Sequence, residues 1–123
     1  MRIGAVSIYV SDQDAALAFW IERAGFELRF SAPMGSDGGR WIEVGPPGAE
    51  SAIVLYPRAM MADWAQHKPS IVFECGDIHV THESMAARGV TFTQAPKRLP
   101  WGMFAAFVDP DGNWFGLRER RVS

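Results

Sequence analysis

Apolar positions along this chain alternate with period two, pass to a helix-like spacing, alternate again, and then repeat the whole cycle. "AVSIYVSD" (5–12) and "SIVFECGD" (70–77) each alternate for six residues and reach an aspartate. Period two is the signature of a strand with one face buried. After Asp12 comes "QDAALAFWIERAGFEL", and after Asp77 "IHVTHESMAARGVTF". Each begins as a helix, stops at Gly25 or Gly89, and resumes as a strand. An aspartate carboxylate accepts the free N–H groups of a first turn, and glycine takes the left-handed conformation that ends a helix. "EVGPPG" (43–48) then matches "FVDPDG" (107–112), and these turns lead into "SAIVLY" (51–56) and "NWFGLR" (113–118).

Each half therefore reads strand, helix, strand, strand, strand. The first runs over about 1–56 and the second over about 69–118, with 57–68 as a linker holding one helical turn. Neither half has enough core to stand alone. The pattern predicts one domain over 1–123 of α+β class. Two tandem βαβββ modules would form a curved, cup-like mixed sheet with the helices on its outer face.

Alternation also sorts side chains by face. Val6, Ile8, Val10, Ile53, Leu55, Ile71, Phe73, Cys75, Phe115 and Leu117 point to the helices. These supply Ala16, Leu17, Phe19, Trp20 and Ala24 from the first, and Ile78, Met85 and Ala86 from the second. The opposite face carries Ala5, Ser7, Tyr9, Ala52, Val54, Tyr56, Ser70, Val72, Glu74, Trp114, Gly116 and Arg118. A glycine inside a strand leaves a hole in its packing, so Gly116 marks that face as unusual. Loops 31–40 and 95–103 are glycine-bearing and expected at the mouth of the cup, with Trp101 overhanging it.

Composition narrows the function. Of 123 residues, 48% are apolar and 21% charged, the profile of a globular domain. The net charge of −2 comes without a basic stripe, which argues against nucleic acid as a partner. The single cysteine, Cys75, excludes a disulfide scaffold and a multi-cysteine zinc site. "MRIGAVSIYVSD" is too short and polar for a secretory leader or a membrane span, so no membrane partner and a cytoplasmic location are expected. Five Trp and eight Phe suit either a core or a ligand cavity.

The candidate chemical groups are few. His79 and His82 stand beside Glu83 on the second helix but lack a third ligand, and they are expected to face solvent. His67 in the linker is expected to be exposed. Cys75, on the helix side, reads as a buried inert thiol. Glu74 faces the cup. It reads either as a partner of Arg118 or as a counter-charge or general base for a ligand.

The doubled strand-helix-three-strand plan, "YVSDQDAALAFW", "ARGV" before a strand and "DPDGN" before the last strand together resemble the vicinal oxygen chelate superfamily. That group includes glyoxalase I, bleomycin resistance proteins and extradiol dioxygenases. The resemblance covers nearly the whole chain. It implies four metal-ligand positions on the cup face, which here are Ala5, Val54, Ser70 and Gly116. Three of these donate nothing to a metal, and serine seldom binds one without help. The nearest likeness is thus to metal-free members of the bleomycin-resistance type, with no cofactor, a small aromatic or cationic ligand, and a homodimeric assembly. The ligand-binding residues expected on this basis are Ser7, Tyr9, Trp41, Val54, Tyr56, Ser70, Glu74, Trp101, Met103, Trp114 and Arg118. The alternative is a lyase, isomerase or dioxygenase of the glyoxalase type, using atypical metal ligands or acid–base chemistry by Glu74 or Tyr9.

Overall fold

A computed structural model of the protein describes residues 1–36 and 38–120. The chain divides into two compact units, Met1–Pro69 and Ser70–Ser123. In the first, β1 (Ala5–Val10) leads to α1 (Gln13–Ala18), β2 (Glu27–Pro33), β3 (Arg40–Gly45) and β4 (Ala52–Pro57). The sheet order is β1-β4-β3-β2, with β1 and β4 parallel and the other pairs antiparallel. Asp12 caps α1 by accepting the Ala15 N–H at 3.1 Å. The helix widens at Phe19–Arg23 into a π turn, where the Ala24 N–H reaches the Phe19 carbonyl at 2.9 Å, and Gly25 ends it with φ 81°.

Ile8, Val10, Ala16, Phe19, Trp20, Ile53 and Leu55 are buried, as the alternation predicts; Leu17 is only half-buried. The Trp20 ring packs edge-on against Phe19 at 5.2 Å and lies tilted against Phe26 at 4.8 Å. Gln13 ties α1 to two strands. Its amide donates to the Leu55 and Arg40 carbonyls, each at 2.7 Å, and its oxygen accepts the Arg40 N–H at 3.2 Å. After β4 the chain makes two single 3₁₀ turns, Arg58–Met60 and Trp64–Gln66, where the sequence suggested one. The Arg58 guanidinium lies 4.1 Å over the Trp64 ring.

The second unit repeats the plan: β5 (Ile71–Cys75), α2 (Ile78–Ala87), β6 (Thr91–Leu99), β7 (Gly102–Val108) and β8 (Trp114–Glu119), in the order β5-β8-β7-β6. Asp77 caps α2 through the His79 and Val80 N–H groups at 3.0 and 3.2 Å, and Gly89 closes it with φ 96°. Ile78 and Met85, two turns apart, carry the buried stripe of α2; Ala86, expected to point inward, is exposed. Under the helix, Ile78, Ala105 and Leu117 form a cluster with Phe73, Cys75, Phe92 and Met103 against it. Phe107 lies at the centre of an aromatic group, 6.1 Å from Phe73, 5.6 Å from Phe92 and 5.4 Å from Phe115.

The expected loop over 95–103 is mostly strand. β6 runs through Leu99 and meets β7 at a tight turn, Pro100–Trp101. Pro96 is accommodated because β6 is the outer strand and its register slips between Phe92 and Gln94 and again between Gln94 and Lys97. Residues 31–33 likewise belong to β2.

Candidate functional site

In each sheet most of the candidate residues lie on the face opposite the helix. In the first, Ser7 pairs with Val54 and Tyr9 with Tyr56 along the parallel ladder, while Glu43 on β3 pairs with Val54. Tyr56 meets Tyr9 edge-on at 5.8 Å and Trp41 edge-on at 6.3 Å, and Tyr9 approaches His67 at 6.3 Å. The Trp41 indole N–H donates to Glu43 Oε2 at 2.8 Å. Three expected residues, Tyr9, Trp41 and Tyr56, thus form a connected aromatic row. Val54 is buried beside it, whereas Ala5, at the start of β1, is exposed. Sequence reasoning missed Glu43, although counting by two from Trp41 places it on this face.

The same face of the second sheet answers to Gly116. Its ladder partners are Val72 on β5 and Ala106 on β7. A Cβ at Gly116 would lie 2.8 Å from Phe104 Cζ and 3.1 Å from Val72 Cγ2. The hole left by the glycine is filled by the Phe104 ring. That ring lies nearly parallel to Trp114, with centroids 6.0 Å apart and planes 25° from each other. Trp114 and Val72 remain 43% and 48% exposed, so this face offers apolar surface to solvent or to a ligand.

Glu74 and Arg118, ladder partners, form an ion pair: Nη2 and Nε donate to the same Oε2 at 3.0 and 3.2 Å. The carboxylate proposed as a free counter-charge already has a cation beside it. Ser70 is exposed just before β5. Trp101 sits at the β6–β7 turn, 59% exposed. Met103, expected in a loop at the mouth, lies in β7 and belongs with the cluster under α2, on the opposite side of the strand from Phe104. Trp101, Met103 and Arg118 nonetheless border one small cavity at the turn end of the sheet.

The remaining candidates are structural. Burial pushes the Cys75 thiol above its ordinary value, against the pull of a side-chain hydrogen bond with Thr81, and its Sγ–H donates to the Arg118 carbonyl at 3.5 Å. His67 pairs with Asp63 at 3.0 Å on an exposed turn. His82, expected in solvent, is half-buried with its ring edge-on to Phe92 at 4.5 Å; His79 is exposed.

A sequence profile of the Glyoxalase/Bleomycin resistance protein/Dioxygenase superfamily matches residues 2–117. The chain belongs to that superfamily. It is 48% identical over 118 residues to the uncharacterized protein YetH of Bacillus subtilis (strain 168), covering 96% of this chain and 98% of YetH. A superfamily member from Sphaerobacter thermophilus DSM 20745 shares the fold with a TM-score of 0.86 at 35% identity, covering 98% of both chains. TnmS3, an antibiotic binding protein from Streptomyces sp. CB03234, superposes with a TM-score of 0.82 at 32% identity, over 98% of this chain and 97% of its own.

The superfamily includes members that use a metal, and the resemblance assigns its ligands to Ala5, Val54, Ser70 and Gly116 in this chain. Ala5, Val54 and Gly116 have no donor atom, and the side-chain space at Gly116 belongs to Phe104. Among the described residues no group of three or more His, Cys, Asp or Glu is placed to hold an ion. Of these four residues only Ser70, through its hydroxyl, could donate to a divalent cation, which usually needs several charged or imidazole ligands. No helix among the described residues is long and apolar enough to cross a membrane.

Proposed function

We propose that this superfamily member binds a small molecule bearing flat aromatic rings, holding it by stacking rather than through a metal. The observation that carries this reading is the Phe104 ring lying in the space over Gly116, nearly parallel to a half-exposed Trp114. A site built for a chelated ion would have a carboxylate or imidazole there; this one has an aromatic floor. Stacked aromatic pairs contribute roughly 0.5–1.5 kcal/mol beyond the area they bury. The row Trp41–Tyr56–Tyr9 gives the first module a second aromatic surface with phenol groups for hydrogen bonding. The likeness to an antibiotic binding protein points the same way. The reading includes a homodimer, for which half-exposed Leu28 and Phe30 on the edge strand β2 supply apolar surface.

The test is a fluorescence titration with fused-ring aromatic compounds, followed by recovery of the compound. Saturable quenching is expected, with the ligand recovered unchanged. Trp114→Ala should weaken binding about tenfold, and EDTA should leave it as it was. Turnover of the ligand, or binding that requires an added divalent ion, would replace this reading with that of a glyoxalase-type enzyme. Sedimentation equilibrium at micromolar concentration checks the dimer.

A further inference from the structure

We infer that the turn end of the second sheet is an oxyanion-binding site, suited to the carboxylate or phosphate of an aromatic molecule. A cavity of about 110 Å³ opens there, and three arginines border it: Arg98 from β6, Arg118 near the end of β8, and Arg120 just beyond. Trp101 and the backbone of Gly102 complete the rim. Gly102 has φ 135°, and apart from its chain neighbours no atom lies within 4 Å of where its Cβ would be.

Two acids lie nearby. Glu119 also borders the cavity and offsets part of the arginine charge; its Oε2 accepts the Ile78 N–H at 3.0 Å, at the start of α2. Glu74 is paired with Arg118. Among the described residues, Arg98 and Arg120 form no ion pair. Guanidinium groups gathered around one small space repel each other, and an oxyanion between them removes that repulsion. Their planar forks match a carboxylate or a phosphate through paired hydrogen bonds. The exposed Trp101 ring gives a flat surface for an aromatic group attached to the anion.

This site goes beyond the stacking surface proposed above. Trp114 and Arg118 are four residues apart on β8, roughly 13 Å along the strand. Its charge preference is also the reverse of the one that a free Glu74 would give.

The experiment uses the full-length, isotopically labelled chain at constant ionic strength. Benzoate, phenyl phosphate and benzyl alcohol are titrated while the Trp101 indole and arginine Nε–H signals are followed by NMR. The two anions should shift Trp101, Arg98 and Arg120 saturably, and benzyl alcohol should not. Tighter binding of benzoate than of phenyl phosphate identifies a carboxylate site, and the reverse a phosphate site. The exposed double variant R98Q/R120Q should keep its unfolding midpoint and its response to fused-ring compounds, yet lose at least about tenfold in anion affinity. The inference is overturned if benzyl alcohol binds as well as benzoate, if neither anion gives a saturable shift, or if the double variant binds both unchanged. Anion binding without any fused-ring binding would sink the stacking proposal and leave this one standing.

Discussion

The two modules share a topology but not a chemistry. Ladder register gives the equivalences: Tyr9–Tyr56 in the first corresponds to Glu74–Arg118 in the second, Ser7–Val54 to Val72–Gly116, and Trp41 to Phe104. Where the first module places two phenols edge to edge, the second places an ion pair. Where the first puts an indole bonded to Glu43, the second puts a phenyl ring over a glycine. Even the turns before the last strands are held by opposite charges. The Arg29 guanidinium donates to the Pro46 carbonyl at 2.5 Å in one. The Asp109 carboxylate accepts from Asp111 N, Asn113 N and Asn113 Nδ2, at 2.8–3.0 Å, in the other. Backbone pairing constrains which face a residue occupies and leaves its chemistry free.

The largest effect expected from breaking this comparison lies in the cores. Phe107 is 1% exposed at the centre of the aromatic group in the second module; Val44 is its fully buried counterpart in the first. Phe107→Ala should cost about 3–5 kcal/mol in urea unfolding, and Val44→Ala clearly less. Equal losses would show that the second module does not rest on its phenylalanines.

Gly116→Ala comes next. The added methyl must displace the Phe104 ring, an overpacking cost of about 1–3 kcal/mol. In a Phe104→Ala background the same substitution should cost clearly less, with only Val72 Cγ2 still close, so a strictly additive double-mutant cycle would refute the filled-hole account.

A smaller effect separates the turns by pH. Burial raises the Asp109 carboxyl above its ordinary value, against the pull of its hydrogen bonds from Asn113 and Asp111. The folded state therefore holds this proton at pH values where the unfolded chain has lost it. Stability from this group is fullest in acid and falls as pH rises from the ordinary carboxylate value through the raised one. Asp109→Asn should lose about 1 kcal/mol for the bond from Asn113 Nδ2. Its deficit relative to wild type should shrink as pH rises across that window, as read by urea midpoints. A deficit that grows with pH would contradict the sign.

The smallest effect is at the ion pair. Glu74→Gln should change stability by under about 1 kcal/mol, because both side chains are half-exposed, and raised salt should reduce the difference further.

Much of this was legible in the sequence. Asp12 and Asp77 marked the helix starts, Gly25 and Gly89 the ends, and alternation assigned Glu74, Trp114, Gly116 and Arg118 to one face. The partner that fills the Gly116 hole was not. Matching "EVGPPG" to "FVDPDG" sets Trp41 against Ala105. The first module's turn, residues 46–51, is longer than the second's, 109–113, so ladder register sets Trp41 against Phe104 instead. One residue in a turn hid the ring that fills the space at Gly116. The reading of 95–103 failed for a related reason: proline and glycine signal a loop, but an edge strand with register slips admits Pro96. Met103 was misplaced because a residue thought to lie in a loop has no parity to count.

The parallel pairing of β1 with β4, and of β5 with β8, has a consequence for synthesis. In each sheet the outermost first strand can bond only to the strand made last, so neither sheet can close until its final segment has left the ribosome. The N-terminal sheet has all its strands once Pro57 has emerged, while β5 must wait, unpaired, until translation has passed Glu119. A nascent chain arrested in between would carry one finished sheet and one with an open edge, and chaperones and proteases would meet the second.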